Sequence, residues 1–95
     1  MTFIYYVREI YKRNGELDYN EVTRFCASEA LARREIQKRI EELCDDKGDL
    51  FHDGEPVSKN SYRDGAGWYH LILVYEDGTK FEFSWCIWNK LLIES

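Results

Sequence analysis

The sequence has few of the residues and patterns that mark disulfide-rich, metal-binding or membrane proteins. Its 95 residues include one proline, two histidines and three cysteines. Cys26, Cys44 and Cys86 show neither CxxC nor zinc-type spacing, which argues against a disulfide framework and favours a reducing compartment. No apolar run approaches the roughly 18–20 residues that a membrane-spanning helix needs. The N-terminus also lacks the features of a signal peptide, so we expect a cytoplasmic protein without membrane association.

Motifs that mark enzymes and ligand sites are missing too. We find no nucleophile elbow, P-loop or dinucleotide fingerprint. An EF-hand loop starting at Asp49 fails, because Phe51 stands where a ligand is needed and Asn60 where the final glutamate is needed. We therefore expect a non-enzymatic protein with no cofactor and no metal. The minor alternatives are a metal or catalytic role for a histidine, or a nonstandard divalent site: His52 or His70, and Asp45, Asp49 and Asp53.

Composition favours one small folded domain, residues 1–95. The hydrophobic fraction of 44% and the aromatic fraction of 16% are ample for a core, which makes a disordered chain a poor explanation. Acidic residues outnumber basic ones by 18 to 13, giving a net charge of −5. This balance argues against general nucleic-acid binding, whose affinity depends on neutralising phosphates.

Two turn dipeptides and one helical pattern indicate the fold. Asn14-Gly15 and Asp77-Gly78 lie inside runs rich in β-branched and aromatic residues, which predicts hairpins over 2–26 and 68–87. Between them, Ser28 is a candidate N-cap for a helix over 28–46, with Gly48 as its stop. The predicted class is α+β, a ββαββ-like antiparallel sheet of two hairpins packed on one long α-helix. Its apolar stripe consists of Ala32, Ile36, Ile40 and Leu43.

The turns also predict strand registers. A two-residue turn at Asn14-Gly15 pairs Ile10 with Tyr19. For the second hairpin, a two-residue turn would put Ile72 and Val74 on the inner face. We favour a three-residue turn, which puts Tyr69, Leu71 and Leu73 on the inner face. That arrangement leaves the smaller set outside: His70, Ile72 and Val74.

Two segments have weaker signals. Residues 47–67 form a long polar loop, in which 57–63 is the best candidate for a short extra strand. Residues 88–95 are an apolar C-terminal segment that could extend the last strand or form a short helix. An open sheet leaves strand edges that must be covered or paired, so a homodimer through an edge strand is a further expectation.

The strongest local signal is a concentration of negative charge between Glu41 and Glu55. Seven acids stand there against one base, Lys47. A solvated helix end and loop is the simpler explanation. The functional interpretation is a surface that binds a protein partner with a basic surface. The candidate partner-binding residues are Glu41, Glu42, Asp45, Asp46, Asp49, Asp53 and Glu55.

Two other classes of function stay open. A nucleic-acid-associated protein would use the strand tyrosines and the basic residues of the predicted helix: Arg33, Arg34, Lys38 and Arg39. A small enzyme or ligand-binding domain is the third class. Mixed charge on a helix usually marks a solvated, salt-bridged face, and much of the aromatic content is explained by packing across a sheet.

In size, acidity, aromatic content and strand–helix–strand order between Thr2 and Ile87, the chain resembles small phage-encoded anti-defence proteins, including anti-CRISPR inhibitors. That resemblance implies a stoichiometric inhibitor that occupies the nucleic-acid or partner surface of a bacterial effector. These inhibitors share no common motif, so the resemblance assigns no residue a role.

Overall fold

The computed structural model describes residues 2–45 and 55–92. This part of the chain contains five β-strands and one α-helix. All five strands pair antiparallel in one sheet with the order β2-β1-β5-β4-β3. The elements are β1 Thr2–Arg13, β2 Glu16–Cys26, α1 Glu29–Cys44, β3 Ser58–Arg63, β4 Tyr69–Val74 and β5 Lys80–Leu92.

The predicted α+β class is wrong, because the protein is mostly β. The helix has 16 residues and packs on one face of a sheet of five strands, not on two simple hairpins. The extra strand, β3, lies inside the segment predicted as a long loop over 47–67 and confirms the candidate strand at 57–63. In addition, β5 continues to Leu92, so the described part of the apolar C-terminal segment is a strand extension. Because β3 and the longer β5 add strand residues, the helix makes up a smaller fraction of the protein than predicted.

The first hairpin has the predicted turn but not the predicted register. Asn14 and Gly15 adopt positive φ angles of 50° and 83°, as a tight two-residue turn requires. The register then shifts twice, between Tyr11 and Lys12 and between Val7 and Arg8. Ile10 consequently pairs with Asn20, and the predicted pairing with Tyr19 is wrong. Each β-bulge inserts one residue into a strand, which turn type alone does not reveal.

The second hairpin follows the favoured prediction. The N–H of Tyr75 donates to the carbonyl of Thr79 over 2.9 Å, which leaves a three-residue turn that ends at Gly78 with φ of 87°. Leu71 and Leu73 are fully buried, and Tyr69 is partly buried on the same face. They pair with the inward residues of β5: Phe81, Phe83 and Trp85.

Helix α1 begins as predicted, and a lysine from a distant strand binds its C-terminal end. The Ser28 hydroxyl accepts a hydrogen bond of 3.2 Å from the Leu31 N–H, and the four residues of the predicted stripe are buried. The last turn has no basic residue of its own. Lys59 on β3 fills that role, since its ammonium donates to the Cys44 carbonyl over 2.8 Å. The predicted stop, Gly48, lies outside the described residues.

The sheet has two unequal faces, because side chains alternate along each strand. The inner face carries the core and packs under α1, and the largest buried side chain there is Trp85. The other face, which we call the outer face, has no second layer over it in the described ranges 2–45 and 55–92. The described residues therefore form a two-layer structure in which one side of the sheet is uncovered.

Candidate functional site

Three aromatic residues lie side by side across the outer face. Tyr6 on β1 is the direct cross-strand partner of Phe25 on β2 and of Trp88 on β5. The ring centroids of Tyr6 and Phe25 are 6.3 Å apart. Trp88 is 51% exposed and Phe25 is 69% exposed, whereas Tyr6 between them is half-buried. We call these three residues the aromatic row. Large apolar side chains left in water in a contiguous group are typical of a binding surface.

The strands give the outer face a positive charge in a protein of net charge −5. Outward positions on β1 and β5 carry four bases and one acid: Arg8, Lys12, Lys80, Lys90 and Glu82. Lys80 is neutralised in part by Glu82, at 3.4 Å. Arg8 follows Tyr6 on the same face and donates to the Asn20 side chain over 2.9 Å, which fixes its guanidinium beside the aromatic row. The outer face therefore combines apolar surface with a basic surround, in which Arg8 and Lys90 flank the aromatic row and Lys12 and Lys80 lie further along the two strands.

The β3–β4 end of the outer face holds an ordered polar cluster. One ring nitrogen of His70, Nε2, lies 2.7 Å from Asp64 Oδ2, and the other, Nδ1, lies 2.9 Å from Ser84 Oγ. Tyr62 stacks on the His70 ring with centroids 4.8 Å apart. Asp64 also accepts from the N–H groups of Ala66 and Trp68. The hydrogen bond from His70 and these backbone bonds lower the pKa of Asp64.

The cluster contains the three side-chain types of a hydrolytic triad, but it lacks the surroundings that such chemistry needs. Ser84 lies in the middle of β5 and is paired on both sides, with His70 and with Ile10. Its neighbouring backbone amides belong to these ladders, so they do not form an oxyanion hole. The cluster fits a structural role, which is to hold the β3–β4 loop against β5.

A carboxylate, Glu9, is buried where helix and sheet meet. Its side chain is 3% exposed and accepts hydrogen bonds from the Arg39 Nε over 2.9 Å, from the Trp85 indole over 2.7 Å and from the Tyr19 hydroxyl. Burial, together with the hydrogen bond to Glu9, raises the pKa of Tyr19. Because both carboxylate oxygens have donors, Glu9 is a satisfied structural group that ties α1 to the sheet.

A polar cleft of about 350 Å³ opens above Glu9, between α1 and β2. Its walls carry charges of both signs, and Arg24 and Glu35 pair across it at 3.4 Å. Small-molecule pockets are mostly apolar with a few convergent polar groups. This cleft has the opposite composition, and its deepest polar group already has partners. It therefore offers no specific ligand chemistry.

The predicted acidic surface is partly described. Glu41, Glu42, Asp45 and Glu55 are all exposed, while Asp46, Asp49 and Asp53 lie outside the described residues. Lys59 holds Glu55 close to the end of α1, because its ammonium donates to the Cys44 carbonyl and pairs with Glu55 at 3.7 Å. We call these four exposed residues the acidic end of the helix. They lie at the end of α1, whereas the aromatic row lies on the outer face of the sheet.

The basic helix residues have different environments. Arg33 pairs with Glu29 at 3.0 Å on the exposed surface, as the i,i+4 spacing predicts. Arg39 instead contacts the buried Glu9 at 2.9 Å, and Glu35 pairs with Arg24 at 3.4 Å. These contacts occupy two of the four bases that a nucleic-acid-binding helix would present.

Two other kinds of site are a metal centre and a reactive cysteine. Within residues 2–45 and 55–92, no group of three or more His, Cys, Asp and Glu side chains is placed to hold a metal ion. His52 lies outside these ranges. Burial raises the pKa of the Cys26, Cys44 and Cys86 thiols, which disfavours the reactive thiolate. In the same ranges, no helix has the length and apolarity to cross a membrane.

The local patterns of the sequence do not indicate that Tyr6, Phe25 and Trp88 lie together. Pairing β1 with β5 joins residues about eighty positions apart, and hairpin signals report only local pairing. The alternation of outward residues Ser84, Cys86 and Trp88 along an extended β5 is the signal that could have indicated the row.

No protein-family model matches this chain, and searches of curated proteins and of solved structures return no similar protein. The resemblance to anti-defence inhibitors is therefore neither supported nor opposed by a relative.

Proposed function

We propose that this chain is a non-enzymatic protein-interaction module whose contact surface is the outer face of the sheet. The observation that carries the proposal is the aromatic row with Arg8 beside it. Tryptophan, tyrosine and arginine are the residue types that dominate binding energy at protein interfaces. Covering a half-exposed tryptophan or phenylalanine with a partner recovers part of the roughly 1.5–3 kcal/mol that full burial of such a side chain provides.

The charges of the outer face define the partner's chemistry. Arg8 and Lys90 flank the aromatic row and favour a partner that presents carboxylates around an apolar centre. The acidic end of the helix is a second predicted contact surface, for a basic region of a partner. The resemblance to anti-defence inhibitors suggests the class of that partner, a bacterial complex that handles nucleic acid, with the module acting as a stoichiometric inhibitor in the cytoplasm. The predicted homodimer is a separate proposal, because it depends on backbone pairing at a strand edge.

Affinity capture from bacterial lysate, with and without nuclease, tests the proposal. The tagged wild-type protein is compared with a double variant of the aromatic row, Phe25→Ser with Trp88→Ser. The matched control is Leu31→Ser, which changes an apolar side chain that is 42% exposed on the helix. We expect a stoichiometric protein partner that survives nuclease, persists with the control and is lost with the double variant. A partner retained by the folded double variant would refute the outer face as the contact surface.

A parallel variant tests the acidic end: Glu41→Lys, Glu42→Lys and Asp45→Lys. If the acidic end binds the partner, these exposed changes abolish capture without lowering the midpoint of thermal unfolding. Capture that needs the acidic end but not the aromatic row would move the contact surface to the helix. Circular dichroism of each variant shows whether the loss of capture reflects binding or unfolding.

Single-stranded nucleic acid is a second candidate ligand, favoured by the basic surround of the aromatic row. Aromatic side chains on an open sheet face stack on bases, and lysine and arginine neutralise phosphates. Fluorescence anisotropy with labelled single-stranded DNA and RNA tests this candidate at two salt concentrations. Affinity that falls steeply with salt and disappears with Trp88→Ser would support it. No binding at low salt would exclude it.

A further inference from the structure

The C-terminal half of β5 has a strand neighbour on only one side. β1 pairs with β5 as far as Thr2 opposite Leu92, whereas the pairing of β4 with β5 ends at Tyr69 opposite Trp85. Residues 86–92 therefore present a free backbone edge within the described part of the chain. Unpaired N–H and C=O groups along such an edge form a template for another strand.

This edge belongs to the least supported part of the sheet. β2 pairs with β1 only from Cys26 opposite Tyr5, so the last rows, Thr2 to Ile4 with Lys90 to Leu92, form a ribbon of two strands. A two-stranded ribbon is marginally stable in water. Residues 86–92 contain no proline and one charged residue, Lys90, so the sequence does little to prevent pairing.

We propose that two copies of this chain pair antiparallel through residues 86–92, about a twofold axis at Asn89. In an antiparallel ladder, directly opposite side chains lie on the same face, so the numbers of paired residues must add to an even sum. If the numbers of two opposite residues add to 178, the whole of 86–92 is paired. Cys86 then lies opposite Leu92 of the second copy. A sum of 176 would place that Leu92 opposite Ser84, where β4 already lies. A sum of 180 would place Lys90 opposite its own copy.

This register also matches side chains on the outer face. Trp88 lies directly opposite Lys90 of the second copy, and the twofold axis produces the contact twice. Both side chains are exposed in the single chain. An ammonium group over an indole ring is a favourable cation–π contact. The dimer continues the sheet from one copy to the other, so that the two aromatic rows share one outer face.

Light scattering coupled to size-exclusion chromatography measures the state of the wild type directly. We expect a mass of twice the 11.4 kDa of one chain over the micromolar to millimolar range. Asn89→Lys places two like charges opposite each other at the axis and should convert the protein to monomer. Asn60→Lys makes the same change on the exposed edge strand β3 and should leave the dimer intact. A monomeric wild type, or a dimer broken by Asn60→Lys but not by Asn89→Lys, would overturn the proposal.

Oxidative cross-linking tests the axis itself. Opposite residues in an antiparallel pair have Cα atoms about 4.5–5.5 Å apart, within the range that a disulfide spans. Asn89→Cys should form a covalent dimer on mild oxidation, whereas Asn60→Cys and the wild type with its native thiols should not. Equal cross-linking of the three proteins would contradict the register. These readouts report self-association alone, so they stand or fall independently of partner binding by the outer face.

Discussion

Replacing Arg39 with methionine is expected to destabilise the protein far more than replacing Arg33 with methionine, although both arginines lie on α1. Methionine and arginine have similar helix propensities, so the difference reports contacts and not helix formation. Arg39 is the charged partner of Glu9, whose side chain is 3% exposed. Arg33 makes an exposed pair with Glu29.

The expected magnitudes follow from burial. Breaking a buried ion pair from one side costs about 3–5 kcal/mol, because the remaining charge is left uncompensated. Tyr19 and Trp85 still donate to Glu9, and Arg39 is 28% exposed, so we expect the lower end, about 3 kcal/mol. The exposed pair of Arg33 contributes about 0.3–0.5 kcal/mol. For a domain of this size, about 3 kcal/mol lowers the unfolding midpoint by roughly 12–24 °C.

Urea denaturation of the two variants, of Glu9→Gln and of the Glu9→Gln, Arg39→Met double variant gives the required free energies. Because Glu9→Gln removes the buried charge, the double variant should lose less stability than the two single changes added together. A free energy for Arg39→Met within about 1 kcal/mol of that for Arg33→Met would refute the reasoning. It would mean that the pair between Glu9 and Arg39 does little to hold the helix on the sheet.

The remaining predictions concern pH, turns and the helix end. The raised pKa of Tyr19 means that the folded state favours the neutral phenol, so stability should fall as pH rises above about 10 and Tyr19→Phe should reduce that loss in thermal melts. The lowered pKa of Asp64 stabilises the fold above about pH 4, so the stability difference between wild type and Asp64→Asn should fade as the pH falls below that value. Gly78→Ala should cost about 1 kcal/mol because φ is 87°, whereas Gly65→Ala, at a glycine without positive φ or close neighbours, should be nearly neutral by denaturant titration. Lys59→Met should cost on the order of 0.5–1 kcal/mol by removing the cation at the helix C-terminus, and an unchanged midpoint would show that the bond to Cys44 contributes nothing.

Local signals in the sequence were sufficient for the turns and for the start of the helix. Positive φ at Asn14 and Gly15 and the Ser28 cap depend on residues within a few positions of each other. The apolar stripe of α1 is equally local, because helical periodicity is a property of neighbouring turns. These features were predictable for that reason.

The bulges, β3 and the role of Lys59 depend on tertiary contacts. The strand at 57–63 was predicted, but its place in the sheet was not, because β3 is exposed along its whole length and has no apolar alternation to indicate a partner strand. It is held by its ladder to β4 and by the bond from Lys59 to the end of α1. The burial of Glu9 was equally impossible to predict from the sequence, since a glutamate in a strand of a hairpin is usually solvated. Its burial is explained by three donors that the fold brings to it, from Tyr19, Arg39 and Trp85.

The acidic segment shows how composition can indicate charge without indicating a site. Its described residues form the acidic end of the helix, but the aromatic row lies on the outer face of the sheet. The negative charge is evident in the sequence because its residues are contiguous. The aromatic row is not contiguous, since its three residues come from three strands.

The central claim is that the outer face binds a partner, and the most direct test is a titration of the purified captured protein. Its affinity is measured by calorimetry for wild type, Trp88→Ala and Leu31→Ala, with circular dichroism confirming that each is folded. A hot-spot residue contributes at least about 2 kcal/mol, so Trp88→Ala should weaken binding by roughly thirtyfold. Leu31→Ala should bind like the wild type. Equal affinities for all three folded proteins would contradict the claim.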